Sequence, residues 1–371
     1  MKFFRWRKVK KQKGADYFLV ACVTFLIIFG LVMLASASSN LGKTQFGDTY
    51  YYLKHQFLYG IIPGIILFIL GASVYYGRLA PLALWLLFLG MVLLVLVFTP
   101  LGIHTKGATR WLTLGPISFH PSEIVKPLFI IYLASWLSRR TERRESVTRG
   151  LLPFLAMLGV VTILLLKQPS TSTVAILITT ACIVYFLSGA RLKFVAGTLG
   201  VAGIALLLTV YFTPYRFERI QTFLSPNVDT RTTGYHITQA RIAIGSGRLT
   251  GVGYGQSTTK VKFLPEPAGD SIFAVIAEEL GFIGAAGLVS VFFVFVLKIF
   301  LLARRCRDKF GELLLIGFGS LIAIQAILHI GAISGLLPLT GTPLPFISYG
   351  GTALAIFMGM SGIIVNISKY V

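Results

Sequence analysis

The chain alternates between long apolar runs and short polar connections. Ten apolar runs can be distinguished along its 371 residues, and most approach the roughly 20 residues that a helix needs to cross a bilayer. The pattern predicts an all-α polytopic membrane protein with about ten transmembrane helices, folded as a single integral membrane domain over residues 1–371. The predicted spans are Tyr17–Ser36, Phe57–Tyr75, Leu79–Phe98, Ile124–Leu137, Leu151–Leu166, Ser172–Leu187, Phe194–Phe212, Ser271–Ala303, Leu313–Ala332 and Gly351–Ile367.

Basic residues predict the orientation of these spans. Lys and Arg concentrate in the cytoplasmic loops of membrane proteins, and seven of them lie in the polar N-terminal tail of residues 1–16. With this tail in the cytoplasm, 21 of the 34 Lys and Arg fall on that side, so both ends of the chain are expected to be cytoplasmic. The net charge of +21 then reflects topology and contact with anionic membrane lipids, and it does not indicate a nucleic-acid partner.

Three segments on the opposite, external side are too polar for lipid and too patterned for simple connectors. They are residues 107–127, the long loop 213–270 between predicted helices 7 and 8, and residues 335–351. The three cysteines have no CxxC or Cys/His spacing and are interpreted as packing residues. Any chemistry is therefore expected in the external segments.

Few acidic residues lie near membrane depth, and each is a candidate for function. Ionisable groups at that depth cost several kcal/mol unless they face a cavity or find a partner. Glu123 and Lys126 are three residues apart, so they share a helical face and can pair. Such a pair either neutralises itself within the helix bundle or serves a substrate, and the residues alone leave both interpretations open.

Asp270 lies at the entrance of the eighth span, shortly after Pro265 and Pro267, which stiffen the approach. It is either the N-cap of that span or a general base at an aqueous cavity. Glu278 and Glu279 follow about two turns later, where adjacent side chains point in different directions. At most one of them is expected to face the same cavity as Asp270, so both are secondary candidates.

Basic side chains of the external segments suit an anionic substrate. The guanidinium of Arg110 matches phosphate because its donors form a planar fork, while the adjacent Trp111 is also typical of a membrane interface. Arg248 and Lys262 lie in or near the glycine-rich stretch SGRLTGVGYGQS, whose backbone amides could contact a diphosphate. A nucleotide-binding βαβ unit is excluded because no strand precedes this stretch, and no histidine spacing indicates a metal site.

Three ordered motifs resemble the SEDS family (shape, elongation, division and sporulation), which includes FtsW, RodA and SpoVE. They are GATRWLTLGPISFHPSEIVKP, GYHITQARIAIGSGRLTGVGYGQSTTKVKFLPEPAGDSIFAVIAEELGFIG and GLLPLTGTPLPFISYGGT. The resemblance spans essentially the whole chain, and its third motif, with Ser348 and Tyr349, is closer to the FtsW and SpoVE branch. The chain departs from the family pattern at His120, Ser170 and Arg248.

The resemblance implies a peptidoglycan glycosyltransferase that polymerises lipid II into glycan strands at the outer face of the bacterial cytoplasmic membrane. The reaction would displace undecaprenyl diphosphate with inversion. The family's proposed catalytic aspartate falls on Asp270, which would be the general base. The residues that we assign to substrate binding are Arg110, Glu123, Lys126, Arg248 and Lys262, with Trp111, Glu278, Glu279 and Ser348 as secondary candidates.

The resemblance also implies partners. A class B penicillin-binding protein would supply the transpeptidase, alongside other proteins of the division or elongation machinery. A divalent cation, Mg²⁺ or Mn²⁺, is compatible with diphosphate chemistry, and no organic cofactor is expected. A lipid II flippase and a non-catalytic scaffold for cell-wall assembly remain alternatives. A transporter usually carries internal repeats with broken helices in matching positions, and the sequence reveals none.

Overall fold

The structure is a computed structural model that describes residues 14–105, 108–115, 117–213, 217, 221, 223 and 233–371. Most of the predicted basic tail, residues 1–13, lies outside them. The helices are α1 Tyr17–Phe46, α2 Tyr51–Ser73, α3 Tyr76–Leu96, α4 Pro121–Ser138, α5 Glu142–Glu145, α6 Val147–Lys167, α7 Thr171–Leu187, α8 Leu192–Tyr211, α9 Thr233–Ser246, α10 Thr259–Lys262, α11 Ile272–Arg305, α12 Lys309–Ile333 and α13 Gly351–Ser368. The strands are β1 Gly102–Thr105, β2 Ala108–Leu114 and β3 Ile117–Phe119.

Length and apolar composition identify the helices suited to a membrane. Within the described part of the chain, 8 helices are long and apolar enough to cross one, and α7 is apolar but shorter. Helix α4 carries Glu123 and Lys126 in an otherwise apolar sequence. These helices overlap the ten predicted spans, so the polytopic helical class is confirmed. The exact number of crossings and the single-domain assignment stay predictions.

Burial separates central helices from peripheral ones. In α12 and α13, 72% and 78% of the most apolar window is buried, against 11% in α8. Helix α13 packs closely on α2, because a Cβ added at Gly64 would lie 2.4 Å from Met358 Sδ and one at Gly60 would lie 3.2 Å from Gly351 Cα. Small residues thus let the two backbones approach.

The start of α1 and the end of α13 lie at one face of the molecule. The Asp16 carboxylate is 2.8 Å from the Lys298 ammonium, and the Asp16 backbone N–H donates to the Ser368 hydroxyl at 3.1 Å. The Lys369 ammonium donates to the Ala72 carbonyl at 2.7 Å. The beginning of α1 and the end of α13 therefore share a face, as the charge pattern predicts. The assignment of that face to the cytoplasm stays a prediction.

The first external segment contributes two strands to a three-stranded antiparallel sheet, whose strand β1 immediately precedes the segment, and the all-α prediction did not include this sheet. Strand β2 is central, and Leu112 pairs with both Gly102 on β1 and Phe119 on β3. Positions 109, 111 and 113 are threonine, tryptophan and threonine, and this alternation of β-branched and aromatic residues favours a strand. The sheet positions Arg110 and Trp111 ahead of α4.

The second external segment is more ordered than the predicted loop 213–270. Helices α9 and α10 lie inside it, and the extracellular position of the segment stays a prediction. Helix α9 forms because one of its faces has a packing surface, on which Ala240 and Ala243 are fully buried. Residues 214–216, 218–220, 222 and 224–232 of the segment lie outside the described residues.

Helix α11 is broken at Gly281, where φ of 67° and ψ of −168° are not helical. The stretch after α9 fills the break, since the carbonyls of Arg248 and Leu249 accept the N–H groups of Phe282 and Ile283 at 2.8 and 3.1 Å. The apolar run Ser271–Ala303 gave no indication of this break. The backbone N–H groups freed by the break are hydrogen-bonded to backbone carbonyls of the same chain. A membrane helix tolerates a break under this condition.

Candidate active site

The segment of residues 334–350 between α12 and α13, here called the hub loop, has three backbone carbonyls held by side chains of two helices. The Thr340 carbonyl accepts the hydroxyl of Ser172 on α7 at 2.6 Å. The Thr342 carbonyl lies 2.7 Å from Nδ1 of His329 on α12. The Pro343 carbonyl accepts the Gln325 side-chain amide at 2.9 Å. Residues 340–343 are therefore fixed between two helices.

Asp270 lies against this fixed part of the hub loop. Gly341 has φ of 63°, and a Cβ at that position would be 3.3 Å from Asp270 Oδ2. The Ser348 hydroxyl donates to the Gly269 carbonyl at 2.9 Å, and the Tyr349 N–H donates to the Ala268 carbonyl at 2.9 Å. The hub loop is therefore hydrogen-bonded to the backbone that precedes Asp270, and its Gly341 lies beside the Asp270 carboxylate.

Asp270 does not cap the helix that follows it. The N-cap residue of α11 is Ser271, and no side-chain hydrogen bond caps this end. The Ser271 hydroxyl donates instead to the Pro265 carbonyl at 2.7 Å and lies 2.6 Å from His236 Nε2. The N-cap alternative for Asp270 was wrong, because the helix begins two residues beyond it.

Glu123 and Lys126 form a buried ion pair, with a distance of 2.7 Å between Lys126 Nζ and Glu123 Oε2. The same ammonium donates to Gln325 Oε1 at 2.6 Å and lies 5.8 Å from the centroid of the Phe357 ring. The predicted pairing is confirmed, and Glu123 supplies the counter-charge that a buried ammonium requires. Whether the pair also serves a substrate stays a prediction.

Gln325 joins this ion pair to Asp270 through the hub loop. Its carbonyl oxygen accepts Lys126, and its amide donates to Pro343. Pro343 is two residues from Gly341, a distance of at most about 7 Å along the backbone. The structure therefore places the hub loop between Asp270, which precedes α11, and the Glu123–Lys126 pair of α4, and these residues with Gln325 and the hub loop are here called the network.

Arg110 and Trp111 approach the same network from the sheet. The Arg110 guanidinium donates to the carbonyls of Gln168 and Pro169, at 3.2 and 2.7 Å, in the turn between α6 and α7. The Trp111 ring meets the ring of His120 edge-on, with centroids 5.2 Å apart. Arg110 thus fixes the sheet to the helices with two of its five N–H groups.

His120, one of the departures from the family pattern, is a neutral hydrogen-bonding residue. Its Nδ1 is 2.7 Å from the Ser122 hydroxyl. Burial lowers the pKa of His120 to about 4, Glu123 opposes this shift, and Lys126 and Arg110 add to it. The charges of the ion pair and of Arg110 therefore act on one imidazole. Ser170, a second departure, donates its hydroxyl to Thr173 at 2.8 Å.

Glu278 and Glu279 anchor the external segment. Glu278 accepts the Ser257 hydroxyl at 2.6 Å, the Thr258 N–H at 3.1 Å and the Thr259 hydroxyl. Glu279 Oε1 is 2.5 Å from Lys260 Nζ, and both groups are buried. Both carboxylates are thus engaged by residues 257–260, and neither of these contacts involves Asp270.

Arg248 and Lys262, assigned to substrate binding from the sequence, have exposed side chains. Arg248 adopts a left-handed φ of 48°, and its carbonyl belongs to the break in α11. Lys260, two residues before Lys262, is the buried basic residue of this stretch. The exposed side chains of Arg248 and Lys262 therefore lie apart from the contacts that join Lys126, Gln325 and the hub loop.

Three residues of the network were absent from the predicted site, namely Gln325, His329 and Gly341. Gln325 and His329 are buried polar residues in an apolar helix, and such residues are functional candidates in membranes. Gly341 lies in the motif GTPLP, where glycine marks a backbone with positive φ. The sequence therefore contained these signals, but it did not reveal which residues the three would contact.

A metal site built only from side chains is not found among the described residues. They contain no group of three or more His, Cys, Asp or Glu that could hold a metal ion. Mg²⁺ is usually bound by one or two carboxylates together with substrate phosphates and water. The described residues therefore do not form a protein cage for a cation.

Comparison with known proteins identifies the relatives of this chain. The model of the FtsW, RodA and SpoVE family, described as "Cell cycle protein", matches residues 16–371. The "Probable peptidoglycan glycosyltransferase FtsW" of Trichlorobacter lovleyi is 36% identical over 363 residues, covering 98% of this chain and 95% of that protein. "Stage V sporulation protein E" of Bacillus subtilis is 35% identical over 364 residues, covering 97% and 98%.

Solved structures share the fold. A chain of a peptidoglycan synthase complex, from work on the coordination of polymerization and crosslinking, has a TM-score of 0.77 and 26% identity, covering 96% of this chain and 98% of that one. The rod shape determining protein RodA of Thermus thermophilus has a TM-score of 0.69 and 25% identity, covering 96% and 97%. The match over nearly the whole length shows that this chain is a multi-pass membrane protein of the SEDS family, in its FtsW and SpoVE branch.

Proposed function

We propose that this protein is a peptidoglycan glycosyltransferase that polymerises lipid II at the outer face of the bacterial cytoplasmic membrane. Membership of the family and the names of the relatives support the class of reaction. The observation that supports the assignment of residues is the hub loop, where Gly341 lies beside the Asp270 carboxylate and Pro343 is held by Gln325, the partner of Lys126.

Asp270 is the general base in this proposal. Its carboxylate accepts the proton of the acceptor sugar hydroxyl while that oxygen forms a bond to the anomeric carbon of the donor. The bond between this carbon and the diphosphate oxygen breaks, and the electron pair leaves with the undecaprenyl diphosphate. One base and one leaving group suffice for a direct displacement with inversion. Gly341 leaves the space beside the carboxylate that a side chain would fill.

Positive charge stabilises the leaving diphosphate. Lys126 and Arg110 act on it through charge-assisted hydrogen bonds, and Glu123 holds Lys126 in place until the substrate binds. Arg248 and Lys262 have exposed side chains, so we assign them to long-range attraction of the anionic substrate. The contribution of Arg248 and Lys262 to the rate of polymerisation should therefore decrease when salt is added.

A divalent cation, Mg²⁺ or Mn²⁺, is proposed to enter together with the substrate diphosphate. When bound, it would neutralise charge on the phosphate oxygens. The described residues offer no cluster of ligands that could hold it alone, so its affinity should depend on the substrate. Chelation with EDTA is expected to reduce polymerisation while leaving the melting temperature of the substrate-free protein unchanged.

A class B penicillin-binding protein is proposed as the partner that crosslinks the product. A similar chain comes from a peptidoglycan synthase complex that couples polymerization and crosslinking, and this supports the pairing. The basic face that contains both ends of the chain is proposed to be cytoplasmic. Cysteine labelling from outside should then modify a site near Thr258 and spare one near Arg143, and the reverse pattern would overturn the orientation.

Purified protein supplied with lipid II, with and without its penicillin-binding partner, tests the function. Glycan strands of many disaccharide units are expected, and they should form with the transpeptidase inhibited by a β-lactam. Transfer of lipid II across liposome bilayers with no polymer formed would support the flippase alternative. If the protein shows neither activity but still binds the partner, the scaffold alternative would be supported.

A further inference from the structure

A basic cavity lies at the end of the molecule opposite the hub loop. It occupies about 260 Å³ between the end of α4 and the start of α6, and its lining is Trp136, Arg140, Arg143, Arg149 and Pro153. A water molecule takes up about 30 Å³ of liquid volume, so this space is large enough for a phosphodiester group. The function proposed above does not use the cavity.

The cavity has a surplus of positive charge. The stretch 139–149 that surrounds it contains five arginines and two glutamates. The guanidinium of Arg143 lies 5.1 Å from the centroid of the Trp136 ring and donates to the Trp136 carbonyl at 2.7 Å. Arg140 is exposed, and its guanidinium has no hydrogen-bond or ion-pair partner within the part of the chain that the structure describes. The Arg140 guanidinium is therefore available to an anion.

Burial and neighbouring groups shift the pKa of Arg143. Burial lowers this pKa, the positive charge of Arg140 lowers it further, Tyr132 opposes this shift, and the positive charge of Arg139 adds to it. Arg143 remains protonated at neutral pH because a guanidinium loses its proton only under strongly alkaline conditions. An anion between these guanidinium groups would relieve their mutual repulsion.

Contacts place the cavity at the face that contains the chain termini. Arg139, which precedes it, donates to the Ala80 carbonyl near the start of α3 at 2.8 Å. The same end of α3 is joined to the end of α13, where the Tyr76 N–H donates to the Asn366 side chain at 2.9 Å. In the proposed orientation, the cavity lies at the cytoplasmic membrane interface, where anionic lipid headgroups are concentrated.

We propose that this cavity binds the headgroup phosphate of an anionic phospholipid of the cytoplasmic leaflet. Guanidinium groups match phosphate by a planar fork of donors, Trp136 is of the residue type that anchors at headgroup depth, and basic pockets between helices on this side hold such headgroups. Membrane topology alone requires only positive charge on this side of the membrane, and it does not require a cavity. The exposed pair Arg304 and Arg305 supplies charge at the end of α11, so this pair provides a matched control.

Native mass spectrometry of the full chain in detergent, titrated with phosphatidylglycerol or phosphatidylcholine, tests the proposal. Each basic residue near an anionic surface contributes about 1 kcal/mol, or roughly fivefold in affinity. Arg140→Gln should weaken phosphatidylglycerol binding about fivefold, and Arg140→Gln with Arg143→Gln about 25-fold. Arg304→Gln with Arg305→Gln should change it less than about twofold. Phosphatidylcholine should bind weakly to all variants.

Arg140→Gln alone keeps the test informative if the double variant fails to fold. Its melting temperature without lipid should equal that of the parent, since its side chain has no partner among the described residues. An equal loss of affinity in the Arg304/Arg305 control would mean that only general surface charge is involved. Equal binding of the two lipids, or displacement of phosphatidylglycerol by millimolar inorganic phosphate, would overturn the lipid assignment, the latter in favour of a soluble anion.

Discussion

Removing the charge of Glu279 is expected to destabilise the protein strongly. Lys260 Nζ lies 2.5 Å from its carboxylate, and the side-chain exposures of Lys260 and Glu279 are 4% and 0%. The Ser36 hydroxyl on α1 donates to the same carboxylate at 2.7 Å. Glu279→Gln would leave a buried ammonium without a counter-charge, which costs about 3–5 kcal/mol. We expect a melting temperature lower by about 5 °C or more.

A double variant separates a structural role of Glu279 from a catalytic one. Lys260→Met combined with Glu279→Gln removes both charges and leaves an amide that Ser36 can contact, so the loss should fall below about 2 kcal/mol. Thermal unfolding in detergent measures the stability of the parent, the two single variants and the double variant. Asp48→Asn, in the exposed pair of Asp48 and Lys54, is the control and should leave the melting temperature unchanged.

Polymerisation measured on the same four proteins decides the role of Glu279. The anchoring role predicts that activity and melting temperature recover together in the double variant. A double variant that regains its melting temperature but not its activity would show that Glu279 participates in the reaction. Losses that simply add in the double variant would refute the buried ion pair itself.

Gly341→Ala should slow polymerisation about tenfold, since strain at a φ of 63° and a methyl 3.3 Å from Asp270 Oδ2 together exceed 1.4 kcal/mol. Gly255→Ala, at a φ of 82° in open space, is its control, and equal losses would contradict the reasoning. Gly281→Ala should lower the melting temperature by several degrees because its Cβ would lie 2.3 Å from a backbone nitrogen; an unchanged value would refute this. His120 has a pKa of about 4 in the folded protein, so the unfolded chain takes up the proton first as the pH falls. The free energy of unfolding should therefore decrease by about 2 kcal/mol between pH 7 and pH 5. The melting temperature of His120→Gln should fall less over this interval, and an equal fall would contradict the assigned pKa.

Local features of the chain were predictable from the sequence. Apolar length located the helices, because a bilayer imposes a minimum on each span. The pairing of Glu123 with Lys126 followed from their spacing of three residues and is present at 2.7 Å. The importance of Asp270 rested mainly on the family resemblance, because a local pattern did not distinguish a base from an N-cap.

Long-range contacts were not predictable. Lys126 and Gln325 are 199 residues apart, and Ser36 and Glu279 are 243 residues apart. Nothing in the local pattern indicated that Glu278 and Glu279 would be used by residues 257–260. Gly281 resembles any small residue in an apolar run. The break of helix α11 at this position depends on the backbone of Arg248 and Leu249, which is distant in sequence. The sheet was missed because the polar external segments were interpreted as loops.

The central claim is that Asp270 is the base of a network completed by the hub loop. Its most direct test is the rate at which Asp270→Asn polymerises lipid II, measured beside Asp48→Asn as an exposed aspartate in a loop at the same external face. Loss of a general base predicts a rate lower by about 10²–10⁴-fold for Asp270→Asn, with an unchanged melting temperature and an unaffected Asp48→Asn. Polymerisation by Asp270→Asn at the parent rate would contradict the account.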